Sequence, residues 1–264
     1  EKIKHAAAFI DGRTSGFRPE VGIILGTGLG GLVDHIAIRH SIEYADIPDF
    51  PVSTVEGHKG RLIFGELGGR RIVAMQGRFH YYEGYTQQVV FPVRVMKFLG
   101  IARLFVSNAS GGTNPTFRVG DLMVINDHIN LIPNPLIGPN IEELGPRFPD
   151  MKGAYDPSLI ALATEIAGKE GIKLQYGCYV GLTGPTFETP QEYHYVRAIG
   201  GDAVGMSTTP EIIAARHMGI PCFGVSIITD LASDDSVSHE VVQEQGRRAE
   251  KEMTRLFIGM LAEL

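Results

Sequence analysis

Five short polar clusters in this sequence each follow a run of apolar residues, and their side chains suit one chemistry. VGIIL (21–25) runs into Gly26-Thr27-Gly28, and IVAMQG (72–77) into Arg78 and His80. LFVS (104–107) runs into Asn108-Ala109-Ser110-Gly111-Gly112, AVGM (203–206) into Ser207-Thr208-Thr209, and GVSIIT (224–229) into Asp230. Together they offer hydroxyls, backbone N–H groups in glycine-rich turns, a guanidinium and an imidazole. That inventory matches a small oxyanion such as phosphate, which takes donors from several directions plus a delocalised cation. Arg78 and His80 stand two residues apart, so an extended backbone turns both to one face. Taken singly, each has an ordinary role. The arginine can be solvated, the histidine a satisfied polar residue, and the glycines of 110–112 simple turn residues. Thr208 or Thr209 before Pro210-Glu211 can be a helix cap. The convergence at five strand ends is what points to a site.

Other chemistries are poorly supported. Gly26, Gly28 and Gly31 match the G-x-G-x-x-G dinucleotide fingerprint, which also requires a helix, a second parallel strand and an acid about 20 residues on. Here only a short LVDHI stretch precedes Ile47-Pro48, and no clear second strand leads to Glu43 or Asp46. The nicotinamide reading is therefore set aside. There is no H-E-x-x-H, C-x-x-C, G-x-S-x-G or Walker A pattern, and the 9 histidines are scattered without metal-ligand spacing, so no metal is expected.

The elements that would position these clusters alternate in type. VGIIL, ARLFVSN (102–108) and CFGVSIIT (222–229) read as buried strands, and RLIFGELGGRRIVAMQG (61–77) as two strands joined at Gly-Gly. Residues 87–99, 157–171, 189–199, 210–218 and 238–263 carry helical patterns. Leu159, Leu162, Ala163 and Ile166 share one face of the second of these. Met253, Leu256, Phe257, Met260 and Leu261 share one face of the last. FLGIARLFVSNASGG (98–112) and HMGIPCFGVSIITDL (217–231) echo each other as one recurrent αβ unit. The expectation is an α/β fold, a single domain over residues 1–264, with a mixed, mostly parallel sheet flanked by helices. Ligands of such sheets bind beyond the carboxyl ends of the strands, where the polar clusters fall. Residues 130–150 are Pro- and Gly-rich without periodicity, and a loop of that length is usually functional.

Composition narrows the classes. The chain has 264 residues, 44% hydrophobic and 20% charged, with 33 glycines and a net charge of -6. No run of Lys and Arg exceeds two, so neither a nucleic acid nor a membrane surface is an expected partner. No apolar stretch reaches spanning length, and residues 1–20 lack a signal-peptide core. Cys178 and Cys222 sit among apolar and aromatic residues, which fits free thiols in a reducing, cytoplasmic setting. The sequence opens on Glu1 rather than Met, which leaves room for residues upstream.

At the same strand ends the sequence resembles the trimeric purine nucleoside phosphorylases over nearly its whole length. The resemblance rests on ILGTGLGGL (24–32), EGHKG (56–60), MQGRFHYYEGY (75–85), NASGG (108–112), GPTFET (184–189) and GMSTTPE (205–211). It implies phosphorolysis of inosine, guanosine and their 2′-deoxy forms to free base and (deoxy)ribose 1-phosphate, with inorganic phosphate as co-substrate and no cofactor. It also implies a homotrimer with the site at a subunit interface. Carried onto this chain, phosphate falls to Thr27, His58, Arg78, His80, the Ala109 N–H and Ser207. Ribose falls to Tyr82, Met206, His239 and, from the neighbouring subunit, Phe148. The base falls to Ala109, Ser110, Gly111, Phe187, Glu188, Thr229 and Asp230. Glu83 would orient a neighbouring histidine. His80, Ser207, Glu188 and Asp230 are the catalytic candidates, with Glu188 accepting from purine N1–H.

Asp230 departs from the pattern. The family's 6-oxopurine enzymes usually carry Asn there, and the related methylthioadenosine phosphorylases carry Asp. Asp230 therefore favours a 6-aminopurine such as adenosine or methylthioadenosine, whereas Glu188 favours inosine and guanosine. An ionised Asp facing O6 is repulsive, so a 6-oxopurine needs it protonated or bridged by water.

Overall fold

The computed structural model describes residues 1–26, 29–52, 60–232 and 239–264, without the side chains of 239–246 and 248. In chain order it holds α1 (Lys2–Arg13), β1 (Val21–Leu25), β2 (Ala37–Glu43), β3 (Arg61–Leu67), β4 (Arg70–Gln76), α2 (Phe91–Leu99), β5 (Arg103–Gly112) and β6 (Leu122–Asn130). Then follow α3 (Pro157–Glu170), β7 (Leu174–Gly181), α4 (Pro190–Ala198), β8 (Ala203–Gly205), α5 (Thr209–His217), β9 (Cys222–Leu231) and α6 (His239–Ala262).

The strands form one nine-stranded sheet. β1 is buried throughout and lies parallel between β4 and β5. β3 and β4 form the expected hairpin, whose turn places Gly68 at φ +56° and Gly69 at φ +77°, conformations that glycine adopts without a Cβ clash. β5 and β9, the two echoing segments, lie side by side in parallel from Leu104↔Cys222 to Gly112↔Leu231. From β9 the pairing continues through β6, β7 and β8 and returns to Gly111 and Gly112 of β5. Five strands thus close a ring. Of the nine pairings, β1–β4, β1–β5, β5–β9, β6–β7 and β7–β8 are parallel.

Both faces of the sheet are covered, because β1 and its neighbours are apolar at successive positions rather than alternate ones. Ile24 joins a core with residues of α1, α2 and α5, while Val21, Ile23 and Leu25 join a second core with α3 and α6. The stripe Met253, Leu256, Phe257, Met260 and Leu261 is fully buried against that second face. Helix ends follow their local chemistry. The Asp156 carboxylate accepts from the N–H groups of Ser158 and Leu159 at the start of α3, and Thr189 with Glu192 forms a capping box on α4. No helix among the described residues is long and apolar enough to cross a membrane.

Two readings of the sequence need correction. Asn108–Gly112 is not a turn after a strand: β5 continues through it, and so does β9 through Asp230. The small residues make this possible, since a Cβ on Gly112 would meet Leu231 and Ile228 side chains at 2.9 and 3.0 Å. A strand does end at Glu43, but β2 runs antiparallel to β3 at the sheet edge, far from the β1 turn. Its exposed, polar pattern hid it. The dinucleotide fingerprint still fails, because the neighbours of β1 are β4 and β5.

Candidate active site

A break in the pairing of β5 makes room for the site. β9 holds one edge of β5 along Leu104–Gly112, while the other edge is taken by β1 as far as Val106 and by β8 only from Gly111. Among the described residues, 107–110 therefore have no strand neighbour on that edge. Arg78, just beyond β4, fills part of the opening, and its Nη1 donates to the Ser107 carbonyl at 2.7 Å. The turn after β1 crosses β5 so closely that a Cβ on Gly26 would stand 2.8 Å from the Asn108 Cα and 2.9 Å from the Ser107 carbonyl oxygen. Only glycine permits this crossing.

The resulting cavity of about 320 Å³ is lined by residues from all these strand ends. Among them is Arg78, 1% exposed. Its Nε and Nη2 donate to the two carboxylate oxygens of Glu211, at 3.2 and 2.5 Å, and Nη2 also donates to Thr208 Oγ1 at 3.4 Å. Thr208 has φ +69° and ψ -53°, and Thr209 N–H reaches back to the Ser207 carbonyl at 2.7 Å. This is the rare, strained form of γ-turn, doubly unfavourable for a β-branched residue. It stands at the mouth of α5 and turns Ser207 toward the cavity. The Ser207 N–H donates to the Tyr179 hydroxyl oxygen at 3.2 Å, and Asn108 Nδ2 donates to Thr208 Oγ1 at 2.9 Å.

Beside Arg78, the His80 ring stacks on Tyr82 with centroids 4.7 Å apart. Glu83 Oε2 lies 3.3 Å from His80 Nδ1 and accepts the His80 N–H at 2.7 Å, which is the orienting role expected of it. Burial first, and then the Arg78 charge, hold the His80 pKa below its usual value, against the pull of Glu83. The ring is thus neutral near pH 7. With Nδ1–H directed to Glu83, Nε2 is the acceptor nitrogen. Met206 and Tyr82 crowd Gly184, where any Cβ would collide with the Met206 sulfur.

Two carboxyl groups, Glu188 and Asp230, line the same cavity with Phe187, Ser110, Gly111 and Thr229. Burial chiefly, with smaller contributions from Asp230 and Glu192, pushes the Glu188 carboxyl up to about 7. Burial also raises Asp230, against two hydrogen bonds that favour its ionised form. Those bonds come from Tyr193 Oη to Oδ2 and Thr229 Oγ1 to Oδ1, each 3.0 Å.

The structure brings twelve of the expected residues to one cavity: Arg78, His80, Tyr82, Ala109, Ser110, Gly111, Phe187, Glu188, Met206, Ser207, Thr229 and Asp230. Thr27 and His58 lie outside the described residues, as does the side chain of His239, whose backbone begins α6. Phe148 is elsewhere. It is 88% exposed and lines a separate surface hollow with His128, Asn134 and Arg147. Sequence reading missed Glu211, Tyr193 and Tyr179. Glu211 follows Pro210 in a motif singled out for its serine, and the two tyrosines had no signal beyond their type.

Comparison with known proteins shows the family. The model of the Phosphorylase superfamily matches residues 20–262. Purine nucleoside phosphorylase 1 of Bacillus subtilis is 49% identical over 268 residues, spanning 100% of this chain and 98% of the relative. The purine nucleoside phosphorylase of Bos taurus is 50% identical, over 92% of this chain and 88% of the relative. The crystal structure of the Schistosoma mansoni purine nucleoside phosphorylase in complex with inosine superposes with a TM-score of 0.95 at 43% identity, covering 100% of this chain and 96% of that one.

Proposed function

The chain belongs to the phosphorylase superfamily, as an enzyme of its purine nucleoside phosphorylase group, and from that premise we propose how the cavity carries out phosphorolysis of purine nucleosides, with inosine and guanosine preferred. The observation that carries the assignment is that one cavity is lined both by Arg78 with Ser207, which suit an anion, and by the carboxyl groups of Glu188 and Asp230.

Phosphate binds at the first pair. Arg78 supplies charge, Ser207 Oγ and the Ala109 N–H supply donors, and the neutral His80 Nε2 accepts from a protonated phosphate oxygen. Thr27 and His58 complete this shell. Ribose lies over Tyr82 and Met206, with His239 at its 5′-hydroxyl and Phe148 lent by a neighbouring subunit of a homotrimer. Phe187 packs on the purine. Ionised Glu188 accepts from N1–H, and from the exocyclic amine of guanine. As the C1′–N9 bond breaks, its electron pair goes to the purine and C1′ gains oxocarbenium character. The adjacent anion stabilises that charge and bonds to C1′, while protonated Asp230 donates to the purine at N7. Ser110, Gly111 and Thr229 form the wall that holds Asp230. No metal or organic cofactor is needed for these steps. A cytoplasmic location fits the free thiols of Cys178 and Cys222.

Asp230 favours a second reading, in which 6-aminopurine nucleosides are also cleaved. A protonated carboxyl offers a donor to N7 and an acceptor to the 6-amino group.

Glu188→Ala tests the base assignment. The expected result is a fall of about a hundredfold in kcat/KM for inosine, the loss of charge-assisted bonds made inside a desolvated site. Unchanged inosine turnover would overturn it.

A further inference from the structure

Tyr193 sits on α4, is 7% exposed and does not line the cavity. Its packing partners are Val180, Val196 and Val204, an apolar setting in which a hydroxyl needs an acceptor. It finds one in Asp230 Oδ2, at 3.0 Å. The backbone makes space for this pair, because a Cβ on Gly111 would stand 3.0 Å from Asp230 Oδ2 and 3.1 Å from the Tyr193 hydroxyl. The other oxygen is held differently. Thr229 Oγ1 lies 3.0 Å from Asp230 Oδ1 and 3.3 Å from the Ser110 carbonyl, so its single hydrogen has two acceptors. When that hydrogen turns to Ser110, Oδ1 is left to carry a proton. When Tyr193 donates, Oδ2 is fixed as an acceptor.

We propose that Tyr193 is a positioning residue of the base site, which polarises Asp230 into a donor at Oδ1 and an acceptor at Oδ2 and thereby sets how well a 6-aminopurine is cleaved relative to a 6-oxopurine. This rests on the phosphorolytic reading above. A 6-aminopurine presents an acceptor at N7 and a donor at the 6-amino group, matching that polarised edge. A 6-oxopurine presents acceptors at both N7 and O6 and gains nothing from a fixed acceptor oxygen. In the reaction with a 6-aminopurine nucleoside, the C1′–N9 bond breaks and a phosphate oxygen bonds to C1′. The Asp230 proton passes to N7, and Asp230 is reprotonated through solvent from the hydrogen phosphate consumed, so charge and protons balance.

The groups facing Asp230 are Tyr193 from α4, Thr229 from its own strand, Ser110 and Gly111 from β5, and Glu188 from the segment before α4, with Glu192 behind it. The Tyr193 hydroxyl is held well above its ordinary value by burial and by both carboxyls, so it stays a donor across the working pH range. Its hydrogen bond favours the ionised form of Asp230. Removing it therefore lets Asp230 keep its proton to higher pH.

The test compares wild type with Tyr193→Phe, measuring kcat/KM for adenosine and for inosine from about pH 5.5 to 9. The expected result is a fall of about tenfold in the adenosine-to-inosine ratio, with the alkaline limb of the adenosine profile moved to higher pH. A purely structural tyrosine would lower both substrates alike and leave the limb in place, and that result overturns the proposal. Asp230→Asn serves as a second variant if Tyr193→Phe folds poorly. It should remove the alkaline limb for adenosine, and an unmoved limb also overturns the proposal. Wild type that cleaves inosine but not adenosine refutes this inference alone. Wild type that cleaves neither refutes the phosphorolytic reading beneath it.

Discussion

Arg78 and Glu211 face each other as a buried, two-bond ion pair, 1% and 2% exposed, with Arg78 lining the cavity. Together with the Ser107 carbonyl and Thr208 Oγ1, Glu211 holds the guanidinium at Nε, Nη1 and Nη2. Arg78 is thus aimed by the fold before any anion arrives, and its charge is shared with Glu211. An incoming phosphate meets a pre-positioned cation, with little rearrangement needed.

Breaking a buried pair by neutralising one partner leaves the other charge uncompensated, at a cost of about 3–5 kcal/mol. Glu211→Gln should therefore lower the Tm, and added phosphate should raise the variant's Tm more than that of wild type. The anion would then replace the missing countercharge. Equal phosphate responses in thermal melts would show that Arg78 does not serve the anion.

Glu188 gives the pH dependence its sign. Its carboxyl is pushed up to about 7, and the ionised form accepts from N1–H more strongly than the protonated one. Inosine kcat/KM should fall as pH drops through that value. Glu188→Gln, whose amide oxygen accepts at any pH, should flatten this acid limb while lowering the plateau. The same shift acts on stability in the opposite direction. The folded state binds this proton more tightly than the unfolded chain, so this contribution is present at acid pH and lost as pH rises toward 7.

Thr208 holds two donors, Asn108 Nδ2 and Arg78 Nη2, from a backbone conformation that few threonines adopt. Thr208→Val keeps the shape and removes the acceptor, at about 1–3 kcal/mol for the donors left unsatisfied. The phosphate KM should rise about tenfold with the nucleoside KM little changed. Steady-state kinetics with each substrate varied in turn would separate the two, and an unchanged phosphate KM would count against the role of the γ-turn.

Much of this was legible in the residues. The long apolar runs of β1 and β9 and the stripe of α6 announced themselves by period, and the polar clusters converged as strand-end chemistry requires. β2, β6 and β7 were missed, because β2 is an exposed edge and β6 changes from buried to polar halfway. Asn108–Gly112 looked like a turn, since small residues that let β8 and β9 approach have the composition of a loop. Within the site, residues that touch ligand sit in compact motifs, while those that aim them do not. Glu211 lies 133 residues from Arg78, and Tyr193 lies 37 from Asp230. Only tertiary packing reveals such partners.

Phe148 is the most exposed large hydrophobic residue described in the chain, which suits a side chain lent to another subunit. Light scattering should give a trimer mass, and Phe148→Ala should raise the nucleoside KM while leaving the phosphate KM alone. A monomer with full activity would refute the shared site.

The most direct test is base release from inosine and guanosine by the wild-type enzyme, with and without phosphate. Phosphorolysis predicts hypoxanthine and guanine only when phosphate is present, with ribose 1-phosphate formed in equal amount. Release of base and free ribose without phosphate would mean water is the nucleophile, and would contradict the assignment of Arg78 and Ser207 to an anion.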